Sequence, residues 1–322
     1  MPLHPWIAEK VELLRDVPSF EAAMTDPQYA ERWAGFNEDP APWTPPAGVT
    51  VSDATADGPH GPVPLRVFRV STGSTTGSTG STTGATGPAP SALLWMHGGG
   101  FVSGSVHDTE SVIPATELAA RAGAVVVSVD YRLAIGGVRY PVPLDDVEAA
   151  WHWMTNNVPA ERYLIGGASV GANLAISCAV RMRDGGGRLP DGMLLAYPLA
   201  HFPTPAPSPE RAAELAQLPA MLRFPTDYQL GIAHNYLGRL DDIPSDAAPG
   251  NHDVAGLPEA WIAPAEFDDL RPSGELLAEQ LRVAGVPAHV ELAAGMVHGH
   301  LGRSPSLAPV SATLDFFAAA LR

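Results

Sequence analysis

The sequence predicts an α/β fold, with a mostly parallel central sheet that is covered by helices on both faces. From residue 92 onward, short apolar runs alternate with longer helical patterns, which is typical of parallel βαβ units. Runs such as AVVVSVD at 124–130 are apolar and β-branched, as expected of strands buried on both faces. Hydrophobic residues make up 45% of the 322 residues, which is enough to bury a sizeable core.

The individual elements follow from hydrophobic spacing. Residues 6–38 predict one or two helices, interrupted by Pro18 and Pro27, because apolar residues recur there at helical spacing. Strict alternation in VPLRVFRV predicts a half-buried strand at 63–70. Further strands are predicted at 92–96, 124–130, 163–165, 193–197, 260–267 and 288–292. Further helices are predicted at 110–122, 144–156, 170–183, 274–284 and 307–321.

Two stretches interrupt the alternation and suggest how the chain is divided. Residues 71–90 (STGSTTGSTGSTTGATGPAP) are of low complexity and cannot bury a core, so we interpret them as a flexible surface loop. Residues 200–256 are rich in proline and break the strand–helix pattern. We therefore predict an N-terminal cap segment over 1–48 and a main α/β domain over 49–322. Within that domain, 200–256 is expected to complete a cap over the strand ends, where open α/β sheets bind ligands.

Composition excludes several classes of protein. Against 19 Lys and Arg stand 35 Asp and Glu, and the net charge of −16 disfavours nucleic acid and anionic membranes as partners. The single cysteine, Cys178, excludes an intramolecular disulfide framework and a Cys-rich zinc site, and we expect it to be an inert packing residue. The first residues do not read as a signal peptide, and no run approaches the roughly 18 apolar residues of a membrane span. We expect a cytoplasmic protein without membrane insertion.

The pentapeptide GASVG at 167–171 has the pattern of a nucleophile elbow, in which a serine is presented on a tight turn between a strand and a helix. Ser169 is the central residue, and the flanking glycines allow a strained backbone and close approach of neighbouring elements. The pattern alone is weak, because composition predicts about 0.2 chance matches in this chain. An ordinary helix N-cap serine is the competing interpretation.

The tetrapeptide HGGG at 97–100 is rarer, with about 0.01 chance matches expected. It follows the apolar strand LLWM, and its backbone N–H groups are unshielded by side chains, so they can bind a developing oxyanion. The amide of Val170, directly after Ser169, would supply another donor. A phosphate loop is disfavoured because no GK[ST] follows. Ser103 and His107 lie nearby and are interpreted as loop-stabilising residues.

A serine nucleophile needs an acid and a histidine, each at the end of a strand. Asp268 follows the predicted strand at 260–267, with Glu266 and Asp269 as competitors. His298 follows the predicted strand at 288–292, with His300 as its competitor. Six other histidines fit less well, since they lie in N-terminal or Pro-rich loops or inside a helix: His4, His60, His152, His201, His234 and His252.

Taken together, these segments resemble the bacterial hormone-sensitive-lipase-like esterases. The resemblance is carried by 93–105 (LLWMHGGGFVSGS), 129–134 (VDYRLA), 166–175 (GGASVGANLA), 265–275 (AEFDDLRPSGE) and 295–299 (GMVHG). It implies an α/β-hydrolase fold with a helical cap, hydrolysis of small-molecule carboxylic esters, and no cofactor or metal. It gives Ser169 the role of nucleophile, Asp268 that of acid and His298 that of base, and it assigns the oxyanion donors to the amides of Gly99, Gly100 and Val170. It is also compatible with a homo-oligomer.

The chain departs from the family pattern at three places. Ala168 stands where Asp or Thr is common, His300 follows Gly299 where Phe is frequent, and Pro272-Ser273 replaces residues that are usually acidic. None of these removes a triad member, and we expect His300 to line the mouth of the pocket. Our hypothesis is a serine carboxylesterase acting on short- to medium-chain esters through an acyl-enzyme. The alternatives are an amide, carbamate or lactone hydrolase, an acyltransferase, or a non-catalytic ligand-binding protein on the same fold.

Overall fold

A computed structural model describes residues 2–19, 22–23, 26–71 and 88–322. Within them an eight-stranded sheet has the order β1-β2-β4-β3-β5-β6-β7-β9. The bounds of its strands are β1 Val49–Gly58, β2 Gly61–Val70, β3 Ala89–Met96, β4 Val125–Val129, β5 Ala160–Ala168, β6 Gly192–Ala196, β7 Ala260–Ala263 and β9 Ala288–Val290. All neighbouring pairs from β4 to β9 are parallel, and only the β1–β2 and β2–β4 pairs are antiparallel. The predicted mostly parallel sheet is confirmed.

The order of the sheet determines where a site can form. The chain passes from β3 to β4 on one side and then returns to β5 on the other side of β3. Ligands bind at such a switch point, beyond the carboxyl ends of the strands. Met96 of β3 pairs with Gly167 of β5, so the segments that follow these two residues emerge side by side.

Helices cover both faces of the sheet, as predicted. The helices are α1 Pro5–Val11, α2 Pro27–Asn37, α3 Thr109–Ala122, α4 Val142–Asn157, α5 Val170–Gly185, α6 Pro209–Leu215, α7 Thr226–Leu237, α8 Arg271–Val283 and α9 Ala308–Leu321. Side chains of β3 alternate between the faces: Leu94 belongs to the core formed with α4, α5 and α8, whereas Leu93 and Trp95 belong to the core formed with α3 and α9. Each fully buried side chain of this size contributes about 1.5–3 kcal/mol to folding.

The predicted strand at 260–267 is two strands. It divides at Pro264, which has no N–H for a sheet hydrogen bond. Residues Ala260–Ala263 remain in the main sheet as β7, and Ala265–Phe267 (β8) pair in parallel with Ala293–Val297 (β10) in a separate two-stranded sheet. The sequence of β10, AAGMV, contains a glycine and only two large apolar residues, so its pattern predicts a loop. Strand β10 is therefore absent from the strands predicted above.

Two boundaries also differ from the prediction. Strand β1 was missed because its outward residues in VTVSDATADG are polar and small, yet it forms a continuous antiparallel hairpin with β2. The predicted low-complexity loop at 71–90 ends too late, because Ala89 and Pro90 belong to β3. Residues 72–87 of that loop lie outside the described residues.

The N-terminal segment and the 200–256 insertion both supply helices, α1 and α2 from the first and α6 and α7 from the second. The backbone N–H of His4 donates to Gly295 O (2.9 Å) at β10, and Arg15 donates to Gln217 O (3.1 Å) in the insertion. Through these contacts the N-terminal segment is joined to β10 and to the insertion. In the part of the chain that the structure describes, no helix is long and apolar enough to span a bilayer.

Candidate active site

Ser169 lies on the turn between β5 and α5, where the strand-to-helix elbow was predicted. Its φ of 57° and ψ of −119° are a conformation that L-residues rarely adopt, which is typical of strained functional turns. A Cβ on Gly171 would lie 2.4 Å from the carbonyl oxygens of Met96 and His97, so only glycine permits this approach of α5 to the end of β3. Ser169 occupies the N-cap position of α5, but its hydroxyl makes no capping hydrogen bond. The N-cap interpretation therefore does not explain this serine.

Three side chains that the sequence singled out form one hydrogen-bonded chain. The Oγ of Ser169 lies 2.9 Å from Nε2 of His298, and Nδ1 of the same imidazole lies 2.6 Å from Oδ2 of Asp268. The second carboxylate oxygen, Oδ1, accepts from the backbone N of Leu270 (2.9 Å), so the acid is held on both sides. Asp268 is fully buried, which strengthens its interaction with the imidazole.

Asp268 and His298 come together because of the small second sheet. In that sheet Phe267 pairs with Val297, so the next residues along the two strands, Asp268 and His298, leave the sheet as neighbours. Ser169 comes from the main sheet, after β5. The site therefore assembles at the point where the two sheets meet.

The environment of His298 favours its charged form. Burial alone would lower the pKa of the imidazole, but the charge and hydrogen bond of Asp268, with the charges of Glu110 and Asp269, raise it above its ordinary value. A raised pKa means that the protonated imidazole is stabilised. That is the state a general base reaches when it has accepted a proton.

The HGGG loop lies directly against Ser169. A Cβ on Gly98 would come within 3.2 Å of Ser169 Cβ, and a Cβ on Gly99 would collide with Ser103 O. Gly99 and Gly100 have φ of 108° and 64°, so the loop needs glycine for its backbone as well as for space. The predicted donors Gly99, Gly100 and Val170 thus lie on the two segments that flank the serine.

Ser103 and His107 have the loop-stabilising contacts predicted for them. The backbone N and the hydroxyl of Ser103 both donate to Gly99 O at 3.0 Å, which closes the loop. Nδ1 of His107 lies 3.0 Å from Nη1 of Arg66 in β2. Cys178 is fully buried in α5, and burial raises the pKa of its thiol, consistent with a packing residue.

Sequence reasoning missed a functional candidate, Glu110. This residue lies in the first turn of α3, where acidic residues are common because they interact favourably with the helix dipole, and nothing in the pattern distinguished it. Its Oε2 accepts from the backbone N of Gly98 (2.8 Å), and its Oε1 accepts from the hydroxyl of Tyr197 (2.6 Å). The ring of Tyr197 packs edge-on against His298, with 4.8 Å between ring centroids. Glu110 therefore joins the HGGG loop to the surroundings of the imidazole.

The competing acids have other partners. The carboxylate of Asp269 accepts from Arg223 and from the backbone N of Phe224. The carboxylate of Glu266 accepts from the backbone N of Gly295 at 2.8 Å. Among the three candidates, the structure brings only Asp268 into contact with the imidazole of His298.

The expectation that His300 lines the mouth of the pocket is wrong. Its side chain is completely buried, its Nε2 lies 3.2 Å from Thr313 Oγ1 of α9, and its ring packs against Tyr197. Gly299, with a φ of 79°, turns the chain so that the next residue points into the core. Burial and the neighbouring His298 lower the pKa of His300 to about 3, so it is uncharged at neutral pH.

Aromatic and aliphatic residues from the 200–256 insertion cover the site. The ring of Phe224 lies 4.7 Å from that of His298, and Tyr228 packs on Phe224 at 5.8 Å between centroids. Ile232 of α7 lies over Gly100, where its Cδ1 would be 3.6 Å from an added Cβ. Among the described residues, no group of three or more His, Cys, Asp or Glu is arranged to hold a metal ion.

Comparison with known proteins identifies the family. The model for the alpha/beta hydrolase fold matches residues 93–302. Esterase LipI of Mycobacterium tuberculosis is 35% identical over 264 residues, which cover 79% of this chain and 76% of the relative. Ethyl acetate hydrolase of Pseudomonas putida is 29% identical over 222 residues, covering 65% and 66%. Among solved structures, the hyperthermophilic esterase of Pyrobaculum calidifontis superposes with a TM-score of 0.77 at 28% identity, covering 100% of this chain and 98% of that one.

The sheet, the elbow and the family match together define a hydrolase, and the chain belongs to the α/β-hydrolase family. Within that family, the resemblance to the hormone-sensitive-lipase-like carboxylic ester hydrolases is confirmed.

Proposed function

We propose that the protein is a serine carboxylesterase that hydrolyses short- to medium-chain carboxylic esters through an acyl-enzyme. The observation that carries the proposal is the hydrogen-bonded chain from Ser169 Oγ through His298 to Asp268. A nucleophile, a base and an acid that orients the base, within hydrogen-bonding reach of one another, are what acyl transfer requires.

In the first half of the reaction, His298 Nε2 takes the hydroxyl proton of Ser169 as Oγ attacks the ester carbonyl carbon. The negative charge that develops on the carbonyl oxygen is stabilised by the amides of Gly99, Gly100 and Val170. The tetrahedral intermediate then collapses, the bond to the alcohol oxygen breaks, and His298 returns the proton to that oxygen. The alcohol leaves and the acyl group remains on Ser169.

In the second half, a water molecule replaces the alcohol. His298 removes a proton from the water as it attacks the acyl carbon, and the same amides bind the second oxyanion. Collapse of this intermediate releases the carboxylic acid and returns the proton to Ser169. Asp268 holds the imidazole in the correct tautomer throughout and stabilises its protonated form.

The substrate class rests on the cap and on the relatives. We assign the cap to residues 1–48 and 200–256, over a catalytic domain of 49–322. Phe224 and Ile232 offer an apolar covering above the site, which suits an uncharged acyl or alcohol group. The name of one relative, ethyl acetate hydrolase, describes a short ester. A small-molecule ester is accordingly the partner that we assign to the site.

A panel of acyl compounds tests the proposal. Purified protein is assayed with p-nitrophenyl esters of increasing chain length, and with lactone, carbamate and anilide substrates of matched size. We expect esters with short and medium chains to have the highest kcat/KM. A lactone, carbamate or anilide that exceeds every ester would assign the triad to that reaction instead, and product consisting mainly of transferred ester in aqueous alcohol would assign an acyltransferase.

A further inference from the structure

The residue next to the candidate catalytic acid holds the covering segment in place. Both oxygens of Asp269 accept from the guanidinium of Arg223, at 2.8 Å each, and Oδ2 also accepts from the backbone N of Phe224 at 2.7 Å. Asp269 is buried, and its hydrogen bond raises the pKa of Arg223, so the guanidinium is charged at neutral pH. A two-pronged contact of this kind fixes orientation as well as distance. We refer to these contacts between Asp269 and residues 223–224 as the clamp.

The backbone of Phe224 is fixed on both sides. Its N–H is held by the clamp, and its carbonyl oxygen accepts from the side-chain amide of Gln229. Gln229 is itself buried in α7, where its Oε1 accepts from the hydroxyl of Thr204 at 2.6 Å. With the backbone fixed in this way, the ring of Phe224 is held against His298, with 4.7 Å between centroids and 60° between planes.

The position of Phe224 assigns it to one side of the substrate pocket. His298 must return a proton to the oxygen of the departing alcohol, so the alcohol part of the ester lies beside the imidazole during acylation. A ring that packs on the imidazole therefore borders the alcohol part. The acyl chain extends from the opposite side of the carbonyl carbon and is further from this ring.

We propose that Asp269 is a positioning residue: through the clamp it holds Phe224 against His298, and Phe224 there makes the enzyme favour esters of flat, aromatic alcohols over esters of small aliphatic ones. This inference rests on the proposed ester hydrolysis and deepens it by naming the part of the substrate that is selected. Aromatic rings gain contact area and favourable ring geometry against Phe224, whereas a methyl group gains little.

Kinetics can separate this role from damage to the triad. Esters with the same acyl group share one acyl-enzyme, so the alcohol affects only its formation, which kcat/KM reports. Its hydrolysis is the same for every alcohol, because the alcohol has already left the site. A positioning effect therefore changes the ratio of kcat/KM between alcohols, and a damaged triad lowers all values together.

The experiment compares phenyl acetate with methyl acetate, and p-nitrophenyl acetate with p-nitrophenyl hexanoate. In Asp269→Ala and in Phe224→Ala, we expect kcat/KM for phenyl acetate to fall about tenfold relative to methyl acetate. The ratio between the two p-nitrophenyl esters should change less than about twofold in both variants. The double variant should lose no more discrimination than Phe224→Ala, because Asp269 acts through that ring.

Controls keep the result interpretable. Asp227→Asn changes an exposed acid in the first turn of α7 and should leave both ratios unchanged. Titration of Ser169 with a serine-directed organophosphate normalises each variant to its competent sites. If Asp269→Ala does not fold, Asp269→Asn keeps the side-chain shape and should show a smaller change in the same direction.

Three outcomes would contradict the positioning role that we propose for Asp269. Equal losses for phenyl and methyl acetate would show that Asp269 supports only the triad, and a change confined to the acyl series would place Phe224 on the other side. The third outcome is a double variant in which the losses of discrimination of Asp269→Ala and Phe224→Ala add together. If the wild-type protein hydrolyses no ester, the proposed function fails. Hydrogen exchange at the Phe224 amide then tests whether Asp269 holds the backbone of Phe224. Exchange should be faster in Asp269→Ala than in Asp227→Asn, and equal rates would show that Asp269 does not hold it.

Discussion

The Oε2 atom of Glu110 lies 2.8 Å from the backbone N of Gly98, which ties the first turn of α3 to the HGGG loop. The same carboxylate accepts from Tyr197, whose ring touches the imidazole of His298. One side chain therefore contacts the loop that carries the candidate oxyanion donors and also contributes to the raised pKa of the candidate base. This arrangement gives the first prediction.

Replacing Glu110 should separate its charge from its hydrogen bonds. Glu110→Gln keeps an acceptor but removes the negative charge, so the pKa of His298 should fall and the acid limb of the kcat/KM profile should move to lower pH, by less than about one unit. Glu110→Ala also frees Gly98 and should lower kcat about tenfold or more. The pH profiles of both variants check this. Identical profiles for wild type and Glu110→Gln would exclude the charge effect.

The unmodified protein should lose activity in acid for a defined reason. His298 must be neutral to accept the serine proton, and its pKa is raised above the ordinary 6.5. As the pH falls through that raised pKa, the imidazole becomes protonated and kcat/KM declines. We therefore expect the midpoint of the acid limb to lie above 6.5. A midpoint below that value, measured under conditions where the protein remains folded, would contradict the electrostatic account.

Ser169→Ala removes the attacking oxygen and should lower ester hydrolysis about 10³-fold or more, with residual turnover from the rest of the site. Because Ser169 makes no capping bond to α5, the variant should keep the stability of the wild type. Steady-state kinetics and thermal unfolding measure the two effects. A serine-directed organophosphate should label Ser169 in the wild type, and label found at another residue by mass spectrometry would contradict the assignment.

Asp268→Asn should lower kcat by orders of magnitude, because the amide can favour the wrong imidazole tautomer; about 10⁴-fold is the size of this effect in the serine-protease example. The matched control is Glu266→Gln, which changes another buried acid two residues earlier, whose carboxylate accepts from the backbone N of Gly295. Its effect on kcat should be less than about tenfold. Comparable losses in the two variants would mean that the imidazole is not oriented by Asp268 alone.

The two neighbouring histidines should behave differently. His298→Ala should be about as damaging as loss of the serine, since the triad acts as a unit. His300→Ala removes a buried neutral ring and its contact with Thr313, so it should lower the free energy of unfolding by about 1–3 kcal/mol while the folded fraction keeps its kcat. Chemical denaturation and active-site titration measure these quantities. Activity that survives His298→Ala but is lost in His300→Ala would identify His300, and not His298, as the base.

Much of this architecture could be predicted because it depends on local patterns. The alternation of apolar runs with helical segments fixed the parallel sheet and its covering helices, and GASVG and HGGG marked two turns whose geometry only glycine permits. Strand β10 escaped prediction because its identity comes from pairing with β8, a contact distant in the sequence. Glu110 and the burial of His300 escaped for the same reason, since partners such as Gly98 and Thr313 are set by tertiary packing.

The division of the 260–267 segment at Pro264 has a mechanical consequence. The candidate acid and base follow the two strands of one short ribbon, β8 with β10, whereas the candidate nucleophile follows β5 of the main sheet. Any displacement of the ribbon as a body changes the gap between Ser169 Oγ and His298 Nε2, but it carries Asp268 and His298 along together and leaves their contact intact. The distance between Ser169 and His298, on which acylation depends, can therefore change without a change in the orientation that Asp268 gives the imidazole. A substitution at the base of the ribbon is therefore expected to change the distance between Ser169 and His298 while the hydrogen bond between His298 and Asp268 is kept.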